Sequence, residues 1–306
     1  MLQENAPVND ITLAGFPLDL LALQLVTGVA LGAIYVLVGI GLSLIFGLMN
    51  VVNFAHGAFF MAGAYVGVFL YGYTGNFWVS LVAAPLAMGL LGLVVERVLV
   101  RPLYGRGIDD PLLLTFGLSY VMVESVRIAF GLTGLPFGAP PELRGAVDIG
   151  IGYFPLYRLF LIAFSLVVVG ALWLFIERTS FGLVIRAGAR DPQIVQVLGI
   201  EISKVWLAVF GLGCALAGLA GILAAPLQGV TPEMGIPVLA EAFVVTVVGG
   251  MGSLAGAVLA GLIVGIVVAM TSLVAPDMTK MAIFALMALV LLVRPRGLLG
   301  RAGALG

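Results

Sequence analysis

Apolar runs long enough to cross a bilayer recur from one end of this 306-residue chain to the other. No other feature restricts its possible folds as strongly. The runs fall at 20–46, 57–73, 78–98, 111–130, 156–176, 205–225, 238–250, 254–275 and 281–293. A helix of about 20 apolar residues spans the hydrocarbon core and bonds its own backbone there. Strands of a membrane barrel would alternate in polarity over short stretches instead. Charged residues make up only 9% of the chain, against about 25% in soluble domains. The expectation is therefore an all-α polytopic integral membrane protein in one transmembrane domain over 1–306, with about 8–10 transmembrane helices. The runs at 238–250 and 281–293 are short, so either can be re-entrant or tilted.

The 42 glycines fit this reading, because small residues let helix backbones approach closely in lipid. Gly28/Gly32, Gly63/Gly67, Ala217/Gly221, Gly252/Gly256 and Gly261/Gly265 are all small-xxx-small pairs. They read as scaffold.

Basic residues set orientation. Arg97, Arg101 and Arg106 follow the third run. Arg178, Arg186, Arg190 and Lys204 follow the fifth, and Arg294, Arg296 and Arg301 follow the last. With nine alternating spans, all of these fall on one side, read as cytoplasmic. An even span count would put both chain ends on one side. On the nine-span reading, residues 1–19 form an extracytoplasmic segment and 177–204 a cytoplasmic loop. The first 20 residues carry Glu4, Asp10 and Asp19 and no basic residue, the reverse of a cleavable signal peptide. A net charge of −1 suggests no nucleic-acid partner. A single cysteine, Cys214, and a single histidine, His56, leave no expected metal site.

Several motifs interrupt the apolar background. In Gly47–Gly57, Asn50, Asn53 and His56 are spaced by three and would share one face of a helix. Amides and imidazole are costly in hydrocarbon and tend to face a bundle interior or a water path. The segment is either a broken helix beside a translocation pathway or a connecting turn whose polar groups bond nearby backbone. Glu124 and Arg127 sit at i,i+3 and can pair. Glu241 can face the outer mouth of a pathway or simply lie at the interface. The run Val248–Gly256 lacks the lysine of a phosphate-binding loop and reads as tight packing. There is also a faint internal echo between Gly39–Gly67 and Val244–Gly265, of the kind common in transporters.

The remaining motif is Phe181–Val205. Asp191 can cap a helix that Pro192 begins and Gly199 ends. Ile194, Val195, Val197 and Leu198 make that helix amphipathic. It can dock in a partner's groove or lie in lipid headgroups.

Three stretches together, GLSLIFGLMNVVNFAHGAFFMAGAY (41–65), IRAGARDPQIVQVLGI (185–200) and VVGGMGSLAGAVLAG (247–261), resemble the LivH-type permease subunit of bacterial branched-chain amino acid ABC importers. The resemblance covers nearly the whole chain. It implies a multi-pass subunit of the bacterial inner membrane, set in lipid, that is not an enzyme and binds no cofactor. The partners it implies are a LivM-like second permease, two cytoplasmic ATPase subunits that use ATP, and a periplasmic amino-acid-binding protein. Leu, Ile or Val would be the substrate. By the same resemblance, Arg186, Ala187, Asp191, Val195 and Gly199 fall on the ATPase-coupling loop, with Val195 where many relatives carry alanine. Asn50, Asn53 and His56 are the substrate-pathway candidates. Related permeases move urea, short-chain amides or other amino acids, which remain alternatives. An ion-coupled secondary transporter needs several buried carboxylates, and the sequence offers Glu124 and Glu241. An intramembrane enzyme needs a constellation that one histidine does not supply.

Overall fold

The computed structural model describes residues 12–13, 16–107, 109–150 and 152–300. Most of the expected extracytoplasmic segment 1–19, and Arg301, lie outside the described residues. The chain forms α1 (Leu18–Met49), α2 (His56–Thr74), α3 (Phe77–Val95), α4 (Asp109–Phe130), α5 (Leu156–Arg178), α6 (Ser180–Gly188), α7 (Pro192–Val197), α8 (Ile202–Gln228), α9 (Gly235–Gly249), α10 (Leu254–Val274) and α11 (Thr279–Val293). A π-helical turn, Glu96–Val100, and a 3-10 turn, Arg101–Leu103, extend α3. A short hairpin pairs Ala146–Asp148 with Tyr153–Pro155.

All nine apolar runs are helical. Among the described residues, eight helices are long and apolar enough to cross a membrane. The exception is α9, whose 15 residues rise about 22 Å against a hydrocarbon core of about 30 Å. The run at 238–250 is therefore a short interior helix. The run at 281–293 belongs to a full-length span, because the turn Pro276–Met278 extends it.

Close backbone contact organises the bundle. Antiparallel to α1 runs α10: the Gln24 amide donates to the Ala269 carbonyl at 2.6 Å, while Gly47 meets Gly252 at the other end. A Cβ on Gly265 would fall inside the backbone of Gly28 and Gly32. Parallel α2 and α8 are equally close, since a Cβ on Gly63 would overlap Gly218 and one on Gly221 would overlap the Phe60 carbonyl. The small-residue pairs seen in the sequence are these contacts.

The contacts also sort the loops to two ends. Leu23 of α1 packs on Gly152, Leu135 pairs with Val230 in both directions, and Arg158 donates to Thr27 at 3.0 Å. This end carries 131–155 and 229–234. At the other end Leu48 packs beside Gly188 and Ile202, and Leu298 donates to the Val248 carbonyl at 2.7 Å. Arg101 reaches Ser203 there at 2.7 Å. The basic segments around 97–106, 178–204 and 294–296 share this second end, as the charge pattern requires.

Single cysteines at Gly138 and Gln196, both exposed, should react with a membrane-impermeant reagent from opposite sides. The native Cys214 is buried and should stay silent. Labelling of both positions from one side would contradict this topology.

Candidate functional site

The first candidate region is the break between α1 and α2. Residues 50–55 are not helical, so Asn50, Asn53 and His56 do not share a helical face; each has its own task. Asn50 caps α1 in the left-handed conformation, φ 53°, and its N–H donates to the Phe46 carbonyl at 2.9 Å. Asparagine tolerates that conformation better than most residues, and its side chain is exposed here. Asn53 is fully buried. Its Oδ1 accepts from the Ala55 N–H at 3.1 Å and its carbonyl accepts from the His56 N–H at 3.1 Å. These bonds start α2.

His56 is also fully buried. Its Nε2 lies 3.1 Å from the Val38 carbonyl. A carbonyl only accepts, so the ring proton sits on Nε2. Gly41 leaves room for the imidazole. Val38 precedes the end of α1 at Met49 by 11 residues, a rise of about 16 Å. The chain therefore turns back into the bundle before α2 begins. Thr115 of α4, fully buried, accepts from the Phe54 N–H at 3.1 Å. It completes the freed backbone, as non-helical chain inside a membrane bundle requires.

A second break mirrors the first. Between α8 and α9, Gly229 has φ 72°, Val230 pairs with Leu135, and Glu233 meets Arg127 at 2.7 Å. The Arg127 guanidinium, bonded to Glu233, holds that carboxyl below its usual range. Arg127 also pairs with Glu124 at 2.5 Å, as the i,i+3 spacing anticipates. The backbones of Gly57 and Gly235 touch. Two helix N-termini, those of α2 and α9, thus meet inside the bundle.

The second region is the basic loop. Thr179 caps α6 through the Gly182 N–H at 3.0 Å. Arg186 is paired with Glu177, whereas Arg190 is exposed. The Ala187 carbonyl accepts from both Arg190 and Asp191, each at 3.0 Å. Asp191 Oδ1 caps α7, accepting from Gln193 and Ile194 at 2.9 and 3.1 Å. Gly199, φ 82°, turns the chain away. Val195 does not share the outward face the sequence assigned it. Its side chain is 2% exposed and packs with Leu48, Ile185, Ile202, Val205 and Val209. The outward apolar face of α7 is Ile194, Val197 and Leu198, 59, 87 and 72% exposed. Helical geometry explains the split, since 194, 197 and 198 lie one turn apart.

Sequence reading missed Glu96. It is fully buried at the π-helical turn, with Tyr104 donating to Oε1 at 2.5 Å. A carboxylate in the last residues of an apolar run reads as interfacial, and the pattern gives no sign of the turn that folds Tyr104 over it.

Residues 24–291 match the family model for the permease component of branched-chain amino acid transport systems. The chain belongs to that family. Over 299 residues it is 34% identical to the high-affinity branched-chain amino acid transport system permease protein BraD of Pseudomonas aeruginosa, covering 91% of this chain and 95% of that protein. LivH of Escherichia coli is 31% identical over 293 residues, with the same shares. LivM of Escherichia coli is 28% identical over 297 residues but is covered over only 68% of its length. BraD and Escherichia coli LivH are therefore matched over nearly their whole length, and LivM is not.

Replacing Asn53 with alanine removes the acceptor that starts α2. Loss of that one hydrogen bond should cost about 1 kcal/mol and lower the thermal unfolding midpoint of the purified protein. An unchanged midpoint would show that the Oδ1 bond does not hold the break.

Proposed function

We propose that this chain is a membrane-spanning permease subunit of an ABC importer that carries Leu, Ile and Val across the bacterial inner membrane. The observation that carries the reading is the end-to-end match to BraD and LivH. The chain binds no cofactor and catalyses nothing itself; ATP is used by two cytoplasmic ATPases. A LivM-like second permease completes the membrane pathway, and a periplasmic binding protein delivers substrate. That LivM also aligns with this chain supports two related permeases side by side.

The mechanism follows from how α7 is held. Its outward residues Ile194, Val197 and Leu198 enter a groove on an ATPase. Its inward residue, Val195, presses on Leu48 at the end of α1 and on Val205 and Val209 in α8. Movement of the ATPase is thereby passed to the two helices that precede the interior breaks. Of the two flanking arginines, the exposed Arg190 pairs across the interface while Arg186 braces α6 against α5 through Glu177. Asn53 and His56, both buried, shape the pathway by fixing where α2 begins, and Asn50 shapes it by ending α1.

Val197→Asp with Leu198→Asp should reduce co-purification of the ATPases at least tenfold, a loss of about 1.4 kcal/mol or more. The permease should still insert, and leucine uptake by the full set of subunits should stop. Full retention of the ATPases would remove α7 from the dock. Val195→Ala should act differently, leaving the dock in place and weakening only the transmission of ATP hydrolysis to uptake.

A further inference from the structure

A cavity of about 220 Å³, open on its outer side where Ile236 and Phe284 are 65 and 45% exposed, lies between α9 and α11 and is lined also by Ala240, Glu241, Lys280 and Ile283. One water occupies about 30 Å³, so the space suits a single small solute. It sits toward the end of the bundle that carries 131–155, because α11 begins where α10 reaches the N-terminal half of α1. On the proposed orientation this is the side from which substrate arrives.

The wall chemistry is unusual for a membrane helix pair. Glu241 is half-buried, with Tyr35 beside it. Lys280, in the first turn of α11, is exposed. Both line the cavity, yet they are not close enough to form an ion pair, unlike the four pairs found among the described residues. Ionisable side chains at membrane depth are costly unless partnered, and by default they mark a solute path. The Glu241 carboxyl beside the Tyr35 hydroxyl and the exposed Lys280 ammonium face one apolar space without closing on each other, a charge pattern that a solute bearing both charges matches. A free amino acid carries both opposite charges on groups attached to one carbon, and an apolar side chain fits Ile236, Ile283 and Phe284.

We propose that this cavity is a binding subsite for a zwitterionic apolar amino acid, with Glu241 taking its ammonium and Lys280 its carboxylate. The inference rests on the transport reading above and adds a site to it. A zwitterionic lipid headgroup with a primary amine offers the same two charges, so the test must separate the two sources.

The complete complex, reconstituted in phosphatidylglycerol vesicles with or without phosphatidylethanolamine, is photolysed with a leucine analogue carrying a side-chain diazirine. Label should map to Ile236, Ile283 or Phe284. It should be competed by leucine, indifferent to phosphatidylethanolamine, and at least fivefold weaker in Glu241→Gln and Lys280→Met. Both variants should still assemble with the ATPases. Label absent from these walls, label displaced by phosphatidylethanolamine, or label unchanged in both variants would overturn the proposal. Leucine uptake by the wild-type complex, measured in the same vesicles, tests the transport reading separately. Failed uptake with competed label leaves the subsite standing, whereas uptake without label removes it.

Discussion

The fold depends on direct backbone contact along α1. Hydrophobic burial does not drive helix association in lipid as it does in water, so close packing and interhelical bonds must do the work. Gly28, Gly32, Gly41 and Gly47 put the backbone of α1 against α10, α8 and the Val248–Gly256 turn. Any side chain there would hold the helices apart. With that seam closed, α1 becomes the axis on which α8, α9 and α10 are placed, and Val38 is brought to His56.

Two consequences follow for transport. The breaks at 50–55 and 229–234 are both pinned from outside by α4, through Thr115 and Arg127. They are the irregular backbone that such a bundle tolerates only where protein or a cavity satisfies it. The N-termini of α2 and α9 meet at Gly57 and Gly235, an arrangement akin to the paired discontinuous helices of transporters with internal repeats. The small core under α7 then joins the basic end of the molecule to α1 and α8, the two helices that lead into these breaks.

Much of this was legible in the sequence, because bilayer thickness and small-residue spacing are strong constraints. The helices, the short run at 238–250 and the cap at Asp191 all follow from local pattern. Side-chain direction was harder to read. Asn50, Asn53 and His56 have helical spacing, yet the left-handed turn at Asn50 breaks the helix before the spacing can act. Val195 is as apolar as Ile194, and only the position of α1 and α8 decides which of them faces inward. Thr115 and Glu96 gave no local signal, since their partners depend on tertiary folding. The echo read between Gly39–Gly67 and Val244–Gly265 had a physical basis in glycine packing, but the matching breaks are those after α1 and α8.

The central claim, that glycine backbone contacts hold the bundle, is tested most directly by thermal unfolding of four purified alanine variants. Gly265 and Gly221 face neighbouring backbone, whereas Gly72 and Gly117 have open space where a Cβ would stand. Gly265→Ala and Gly221→Ala should lower the unfolding midpoint sharply. Gly72→Ala and Gly117→Ala should leave it unchanged or raise it, since alanine is the better helix former. Four variants with the same midpoint would contradict the account.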